Sequence, residues 1–217
     1  KERARAGSIR QEFLEAYAAG RRSETKSQDA PHIPPYRGVL VDLPRNYIPL
    51  SGLKQIIRFL SELNLNVLHL RLSDDQGFMV DQLESIQGTP ATTTTASRLY
   101  SIVELRDLDD YARQHQVVIV PEIGVPGHAG GWIGGGGDSK IVVPCPKEAC
   151  RTAWSIPLDV SRKEAVDTVF SVVMEILEKI FPHAPFVHLG GDDLANANSC
   201  FREAGISSNR SGFEAGL

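Results

Sequence analysis

The chain has 217 residues, of which 41% are hydrophobic and 23% are charged, as is ordinary for a globular protein. Its net charge of −4 gives no electrostatic basis for binding nucleic acid or an anionic membrane surface. No apolar run approaches the ~20 residues that a membrane-spanning helix needs. The sequence begins at Lys1 without a signal peptide, which is typical of an excerpt or a processed product.

The first 35 residues differ in character from the rest. Ile9, Phe13, Leu14 and Tyr17 have roughly helical spacing and predict a short helix. Residues 20–35 are polar and end in three prolines, which indicates a linker. We therefore expect an N-terminal helix and linker over residues 1–35, followed by one domain over residues 36–217.

Four short apolar runs in that domain predict buried β-strands, because their near-continuous apolar character suits strands covered on both faces. Pro121 is expected to end the third run, since proline cannot donate a backbone hydrogen bond. The runs are Arg37–Leu43, Val67–Leu72, Val117–Val120 and Phe186–Leu189.

Three segments with apolar residues three and four positions apart predict amphipathic helices between the strands. Their apolar positions lie within residues 50–63, 102–112 and 166–180. Ser161 and Glu164 match a capping box and predict where the third helix begins. The resulting β-α-β-α-β-α-β order implies parallel strands joined by right-handed crossovers.

The loops favour an α/β barrel over an open sheet. Loops after the strands are long and loops before them are short, as in (β/α)8 TIM barrels, whose working loops follow the strands. A doubly wound open sheet is the alternative, but residues 43–46 are not the glycine-rich turn that such a sheet usually carries after its first strand. The length predicts about the first four βα units of a barrel.

Candidate chemical groups follow the ends of three predicted strands, where a barrel places its active site. Asp74 follows the second strand and His128 the third. Asp192 and Asp193 follow the fourth, directly after two glycines. Each acid has a structural alternative, because aspartate also caps helices and forms turns.

Three further side chains are weaker candidates. Arg37 precedes the first strand, and it could be an ordinary surface charge. His69 and His188 lie inside strand runs, where packed and hydrogen-bonded roles are more common than reactive ones.

The sequence indicates no cofactor and no metal. The four consecutive glycines of residues 134–137 lack the Lys-Ser/Thr ending of a phosphate-binding loop. The histidines and cysteines lack the spacing of zinc ligands. Cys145, Cys150 and Cys200 allow either one disulfide with a free thiol or three reduced thiols, and composition slightly favours the reduced state.

Four motifs together resemble a known family. They are RGVLVD over residues 37–42 with Arg45 beyond it, HLRLSDDQGF over 69–78, PEIGVPGH over 121–128 and HLGGDD over 188–193. They resemble the catalytic domain of the family-20 glycoside hydrolases, the β-N-acetylhexosaminidases, in the family's order and at similar spacing.

The resemblance implies a (β/α)8 barrel that removes terminal β-linked N-acetylhexosamine from a glycan or glycoconjugate with retention of configuration. The substrate's own 2-acetamido oxygen would attack the anomeric carbon and form an oxazoline. By the same resemblance, Asp192 would hold the acetamido group and Asp193 would be the general acid/base. Arg37 would bind the sugar hydroxyls, while Asp74 and His128 would line the site and tune the acid.

The chain departs from the family pattern at several of these positions. Asp193 stands where the family has Glu, and Gly124 stands where its motif has Asp. Arg71 and Asn46 stand where histidine is usual. The alternative hypotheses are a catalytically impaired relative that binds sugars or partners, and an unrelated barrel hydrolase that uses Asp74 and Asp193 as its acid pair.

The resemblance also bears on the cysteines and on location. Lysosomal relatives link the loop after the third strand to the segment after the acid motif by a disulfide. Cys145 and Cys200 lie in those regions, with Cys150 left over. A lysosomal or secreted protein is therefore expected, and since family enzymes often dimerise, a homodimer is one assembly to test.

Overall fold

The computed structural model describes residue 15 and residues 35–81, 83–85, 99–132, 141–142 and 156–191. Within these ranges four parallel strands and one short antiparallel strand form a single sheet, with helices between the parallel strands. The strands are β1 (Gly38–Asp42), β2 (Val67–Asp74), β3 (Gly77–Phe78), β4 (Val118–Val125) and β5 (His188–Gly190). The helices are α1 (Leu50–Glu62), α2 (Ile102–Gln114) and α3 (Lys163–Glu175), and α3 continues as a π-helical turn over Ile176–Ile180.

The parallel strands lie side by side in chain order, β1-β2-β4-β5, while β3 pairs only with the end of β2. A doubly wound sheet reverses its strand order at a switch point. This sheet advances in one direction, which is how a barrel wall is built. The predicted α/β architecture is therefore confirmed, and the described residues contain four parallel strands with the three helices that lie between them.

The two faces of the sheet bury different clusters, because alternate residues of a strand point to opposite sides. Leu68, Leu70 and Leu72 of β2 belong to the large apolar core that also holds the buried faces of the helices. Val67 of β2 belongs to a small separate cluster with Val118 and Val120 of β4, and Tyr36 and Phe186 are among the residues that pack against it. This second face, which we call the inner face, also carries His69 and Arg71 because they continue the alternation from Val67.

The prediction that Pro121 ends the third strand is wrong. Pro121 pairs in register with Leu70 of β2, and β4 continues to Val125. Pro121 lacks only one donor, and the ladder continues on both sides of it, at Val120 and Glu122. The extension matters because it carries Glu122 and Gly124 into the sheet.

The predicted capping box at the start of the third helix does not form. The Ser161 hydroxyl donates to the buried carboxylate of Asp159, and α3 begins after Arg162 without a side-chain cap. A capping box forms instead at α2, where Ser101 Oγ accepts from the Glu104 N–H and the Glu104 carboxylate accepts from the Ser101 N–H. Since α3 begins at Lys163 with Arg162 as its N-cap, Ser161 lies one residue before the position that a capping serine occupies.

Several predictions fall on residues outside the described ranges. These are the leader helix apart from Glu15, which is exposed, together with the three cysteines and the two acids of the HLGGDD motif. Among the helices of the described part, none combines the length and apolar character needed to cross a bilayer.

Candidate active site

The carboxyl ends of β2 and β4 bring two of the predicted site residues together. Asp74 is the last residue of β2, and His128 lies three residues beyond the end of β4. Both side chains are buried, and Nδ1 of His128 is 3.7 Å from Oδ2 of Asp74. The predicted juxtaposition of these two groups is thus present in the structure.

Two guanidinium groups contact the Asp74 carboxylate. Arg45 donates to Asp74 Oδ2 from Nη2 at 2.9 Å and from Nε at 3.2 Å, while Nη2 of Arg71 lies 3.3 Å from the same oxygen. The Asp74 side chain is only 2% exposed, so its charge is removed from water and depends on these partners. Arg45 also contacts Asp42, and with 48% of its side chain exposed it stands at the solvent side of the assembly.

The structure does not bring Arg37 to this site. Its backbone N–H donates to Asn66 Oδ1 and its Nε to the Asn64 carbonyl, so it lies where β1 and β2 begin. The five residues of β1 span about 17 Å, which separates Arg37 from the carboxyl edge. The structure thus places Arg37 at the opposite end of β1 from the edge that carries Asp74 and His128.

Arg45 is the site residue that the sequence reasoning missed. It follows the end of β1 by three residues and belongs to the same motif that was used to assign Arg37. The position of Arg45 after β1 indicated the site, because residues that follow parallel strands lie at one edge of the sheet. Residues that precede the strands lie at the opposite edge.

Asp75 organises the loop that follows β4. Its carboxylate accepts from His128 Nδ1 at 2.8 Å, from the Gly130 N–H at 2.9 Å and from the Ile156 N–H at 3.1 Å. His128 has a φ of 55°, which is uncommon for a residue with a side chain. The Asp75 contact holds the His128 ring in place with the proton on Nδ1. Of the two adjacent acids, Asp75 therefore has the structural role and Asp74 faces the arginines.

A close backbone approach holds the same loop against the β2–β3 hairpin. A Cβ atom at Gly131 would lie 2.4 Å from the carbonyl carbon of Gly77, so only glycine fits there. The neighbouring Trp132 is buried and packs edge-on against Phe78, with ring centroids 5.3 Å apart. These contacts fix His128 relative to Asp74 by joining the two loops that carry them.

A second polar cluster lies on the inner face of the sheet, farther than Asp74 from the carboxyl ends of the strands. Glu122 Oε2 is 2.6 Å from Nε2 of His69 and 3.3 Å from Nδ1 of His188, and Glu122 Oε1 is 3.6 Å from Nη1 of Arg71. Burial alone would raise the pKa of Glu122, but His69, Arg71 and His188 together hold that pKa below its usual value. Arg71 thus connects Glu122 in this cluster to Asp74 above it.

Two groups in the described part of the chain have three potential metal ligands within 4.8 Å of one another. One is Asp74, Asp75 and His128, and the other is His69, Glu122 and His188. The first group is already committed to Arg45 and to backbone donors of the β4 loop.

The end of β5 lies at the same edge of the sheet as the carboxyl ends of β2 and β4. Gly190 and Gly191 have φ values of 73° and 86°, and the Gly191 N–H donates to the Val125 carbonyl at the end of β4. Such φ values favour glycine, so the sequence Gly-Gly permits the chain to turn at this edge. Asp192 and Asp193 follow directly in the sequence and lie outside the described residues.

Comparison with known proteins agrees with this architecture. The model of the catalytic domain of glycosyl hydrolase family 20 matches residues 35–207. The chain is 28% identical to rat β-hexosaminidase subunit beta over 182 residues, which is 84% of this chain and 33% of that protein. It is 35% identical to β-hexosaminidase 3 of Arabidopsis thaliana over 162 residues, which is 73% of this chain and 28% of that protein. The chain therefore spans about a third of the length of these curated relatives.

Solved structures share the fold. A crystal structure of a β-N-acetylhexosaminidase matches with a TM-score of 0.63 at 24% identity, over 84% of this chain and 42% of that one. Dispersin B matches with a TM-score of 0.58 at 17% identity, over 84% of this chain and 57% of that one. Since the family model covers most of the chain, and the strand order and the carboxyl-edge site are those of a barrel, the chain belongs to glycosyl hydrolase family 20.

Proposed function

We propose that the full-length protein is a glycosidase that removes terminal non-reducing β-linked N-acetylhexosamine, either N-acetylglucosamine or N-acetylgalactosamine. The reaction would retain the anomeric configuration through a substrate-assisted oxazoline intermediate. The names of the relatives support the substrate class, because they are β-hexosaminidases of animals and plants.

The observation that carries the proposal is the Arg45–Asp74–His128 assembly at the carboxyl ends of the strands. A buried carboxylate, a half-exposed guanidinium and an imidazole meet there. The end of β5 adjoins the same edge through the Gly191–Val125 hydrogen bond, and Asp192 is the next residue in the sequence. Groups from several strand ends that converge on one edge are typical of a barrel active site.

In the proposed mechanism the acids after β5 perform the chemistry. Asp192 would orient the acetamido group and stabilise the positive charge of the oxazolinium. Asp193 would protonate the leaving oxygen, and a nearby anion would keep its proton available near neutral pH. Asp74 and His128 would tune that acid. Arg45, held by Asp42 and Asp74 with half of its side chain exposed, would bind the sugar hydroxyls in place of Arg37.

The test is hydrolysis of a chromogenic N-acetyl-β-glucosaminide by the full-length protein. We expect turnover, loss of turnover in Asp192→Asn, and a first-formed product with the β configuration by NMR. Wild-type rates in Asp192→Asn, or an inverted product, would contradict the mechanism. Arg45→Ala should raise KM, while Arg37→Ala should leave KM unchanged.

A sugar-binding protein without activity is the second candidate, and one observation favours it. Gly124 supplies no carboxylate where the family motif has one, and the Arg71 guanidinium lies next to Asp74 instead. The chain also has the shorter Asp193 at the acid position, and a misplacement near 1 Å can cost about 100-fold in rate. A silent wild type whose activity appears in Asp193→Glu, together with wild-type binding of N-acetylglucosamine, would establish this candidate.

Location and assembly form a separate part of the proposal. A lysosomal or secreted protein with a Cys145–Cys200 disulfide follows from the resemblance to lysosomal relatives. Peptide mapping without reduction should find that pair linked and Cys150 as a free thiol. Light scattering would establish whether the full-length protein is a homodimer.

A further inference from the structure

The inner face of the sheet holds three potential metal ligands that the proposed hydrolase chemistry does not use. They are His69 on β2, Glu122 on β4 and His188 on β5. We propose that these three side chains form a binding site for one divalent transition-metal ion of the zinc class. The site lies on the inner face below Asp74, and it links three adjacent strands.

The strand register explains why these residues meet. Glu122 pairs in register with Arg71 on one side and with His188 on the other. His69 lies two residues before Arg71 in β2 and therefore points to the same face. The three side chains are thus placed by backbone pairing, so the ligand set is held by the sheet itself.

The donor set and its spacing suit zinc. Two imidazoles and one carboxylate are a common set of three protein ligands, with a fourth position left for water. Bonds of about 2.0–2.2 Å in a tetrahedron place ligand atoms about 3.3 Å apart. Here Glu122 Oε2 lies 2.6 Å from His69 Nε2 and 3.3 Å from His188 Nδ1, and all three ligand atoms lie within 4.8 Å of one another. Small side-chain rotations would complete the geometry.

The hydrogen bonding of the two histidines is compatible with a metal. Nε2 of His69 is buried and lies 2.6 Å from Glu122 Oε2, and no further hydrogen-bond partner is found for it among the described residues. An ion bound between these two atoms would take both as ligands. Nδ1 of His188 accepts from the Gly190 N–H, so this nitrogen carries a lone pair and no proton, and an ion would take the place of that hydrogen bond.

The surroundings leave the site open at one side. Arg71 contacts Oε1 of Glu122, which leaves Oε2 between the histidines. The side chains of Glu122 and His69 are 4% and 13% exposed, whereas that of His188 is 47% exposed and offers a route for the ion. The Asp74–Asp75–His128 group differs in this respect, because Arg45, Gly130 and Ile156 already occupy its oxygens.

The test is titration of the chelator-stripped full-length protein with Co²⁺ and with Zn²⁺. We expect Co²⁺ to produce a visible absorption band that Zn²⁺ abolishes. Calorimetry should show tight binding of one ion, and this binding should depend on His69, Glu122 and His188. His188→Asn, at an exposed position, should weaken that binding at least 10-fold while the circular dichroism spectrum stays unchanged. Glu122→Gln should weaken it as much.

The matched control is His115→Asn, since His115 lies at the end of α2 and contacts Tyr111 rather than the cluster. It should bind Co²⁺ like the wild type. The proposal is overturned if no band appears, or if His188→Asn binds as tightly as the wild type and the His115→Asn control. If Glu122→Gln fails to fold, His188→Asn alone decides the question.

Discussion

The inner face of the sheet changes character from one end of its strands to the other. At the amino end, Val67, Val118 and Val120 form an apolar cluster with Tyr36 and Phe186 beside it. At the carboxyl end, the same strands carry charged residues, and the buried ones are paired with one another. The parallel pairing is regular at the amino end and shifts register at the carboxyl end, between Arg71 and Ser73 and between Glu122 and Val125, so the two ends differ in side-chain chemistry and in backbone regularity.

The comparison separates stability from function. Burying valine removes apolar surface from water and stabilises the fold without specifying any reaction. Burying Asp74 and Glu122 costs free energy that only their cationic partners offset. The charged end is therefore expected to serve binding and catalysis, and substitutions at the charged end and the apolar end should change different properties.

Removing the Asp74 charge should reduce catalysis most. Asp74→Asn leaves Arg45 and Arg71 without their shared carboxylate and alters the surroundings of His128. We expect kcat of the full-length protein to fall on the order of 100-fold, the size seen when one preorganised electrostatic group is removed. Asp107→Asn is the matched control, because Asp107 is exposed and pairs only with Lys54 among the described contacts. If kcat of Asp74→Asn stays within threefold of the wild-type value, the charged end of the inner face is not specialised for catalysis.

Asp109 on α2 offers a buried carboxylate for which burial outweighs the nearby charges of Arg113 and Arg106. Burial raises its pKa to about 7, partly offset by the hydrogen bond from the His183 N–H. Because the folded pKa lies above the unfolded value of 3.8, the native state holds a proton that the unfolded state releases. Stability should therefore fall as pH rises from about 4 through 7, by roughly 2 to 3 kcal/mol between pH 5 and pH 8.

Asp109→Asn should remove this pH dependence, since the amide can still accept from His183. Denaturant midpoints at pH 5 and pH 8 are the measurement, and Asp167→Asn on the exposed side of α3 is the control. If the denaturant midpoint changes equally between pH 5 and pH 8 in the wild type and in Asp109→Asn, then Asp109 is ionised in the folded protein.

The apolar end should affect stability and leave catalysis intact. Val120→Ala removes two buried methyl groups from the inner-face cluster. We expect the free energy of unfolding to fall by about 2 kcal/mol, with kcat and KM unchanged at temperatures where the protein is folded. A loss of kcat without a loss of stability would mean that the amino end is coupled to the site.

The local elements of the fold were predictable, and the contacts between them were only partly so. The helix over residues 50–62 followed from its apolar spacing, because that pattern is local. The cluster of His69, Glu122 and His188 depends on register across three strands, which spacing along the chain does not report. Arg37 was grouped with the site residues through its motif, although its position before the first strand already indicated the opposite end of the sheet.

The smallest predicted effect concerns Arg71 and Gly124, which replace the histidine and aspartate usual in the family. A Cβ atom at Gly124 would lie 3.5 Å from Nη2 of Arg71, so the two positions are in direct contact. Gly124→Asp would place a new carboxylate beside that guanidinium. In the Arg71→His background the same carboxylate would face Asp74 and Glu122 without the guanidinium between them.

Unfolding of the wild type, the two single variants and the double variant should therefore give a coupling energy of about 1 kcal/mol that favours Arg71 with Gly124→Asp. Gly124→Ala in both backgrounds is the matched control, because a methyl group brings the same first atom and no charge. Its nearest contact is the Ser73 carbonyl at 3.2 Å, which accepts from Arg71 Nε, so this control measures the coupling that comes from packing and from the loss of that hydrogen bond. If Gly124→Ala shows the same coupling as Gly124→Asp, the two positions interact through packing. If only Gly124→Asp couples, charge at the carboxyl end is what separates this chain from the usual family pattern.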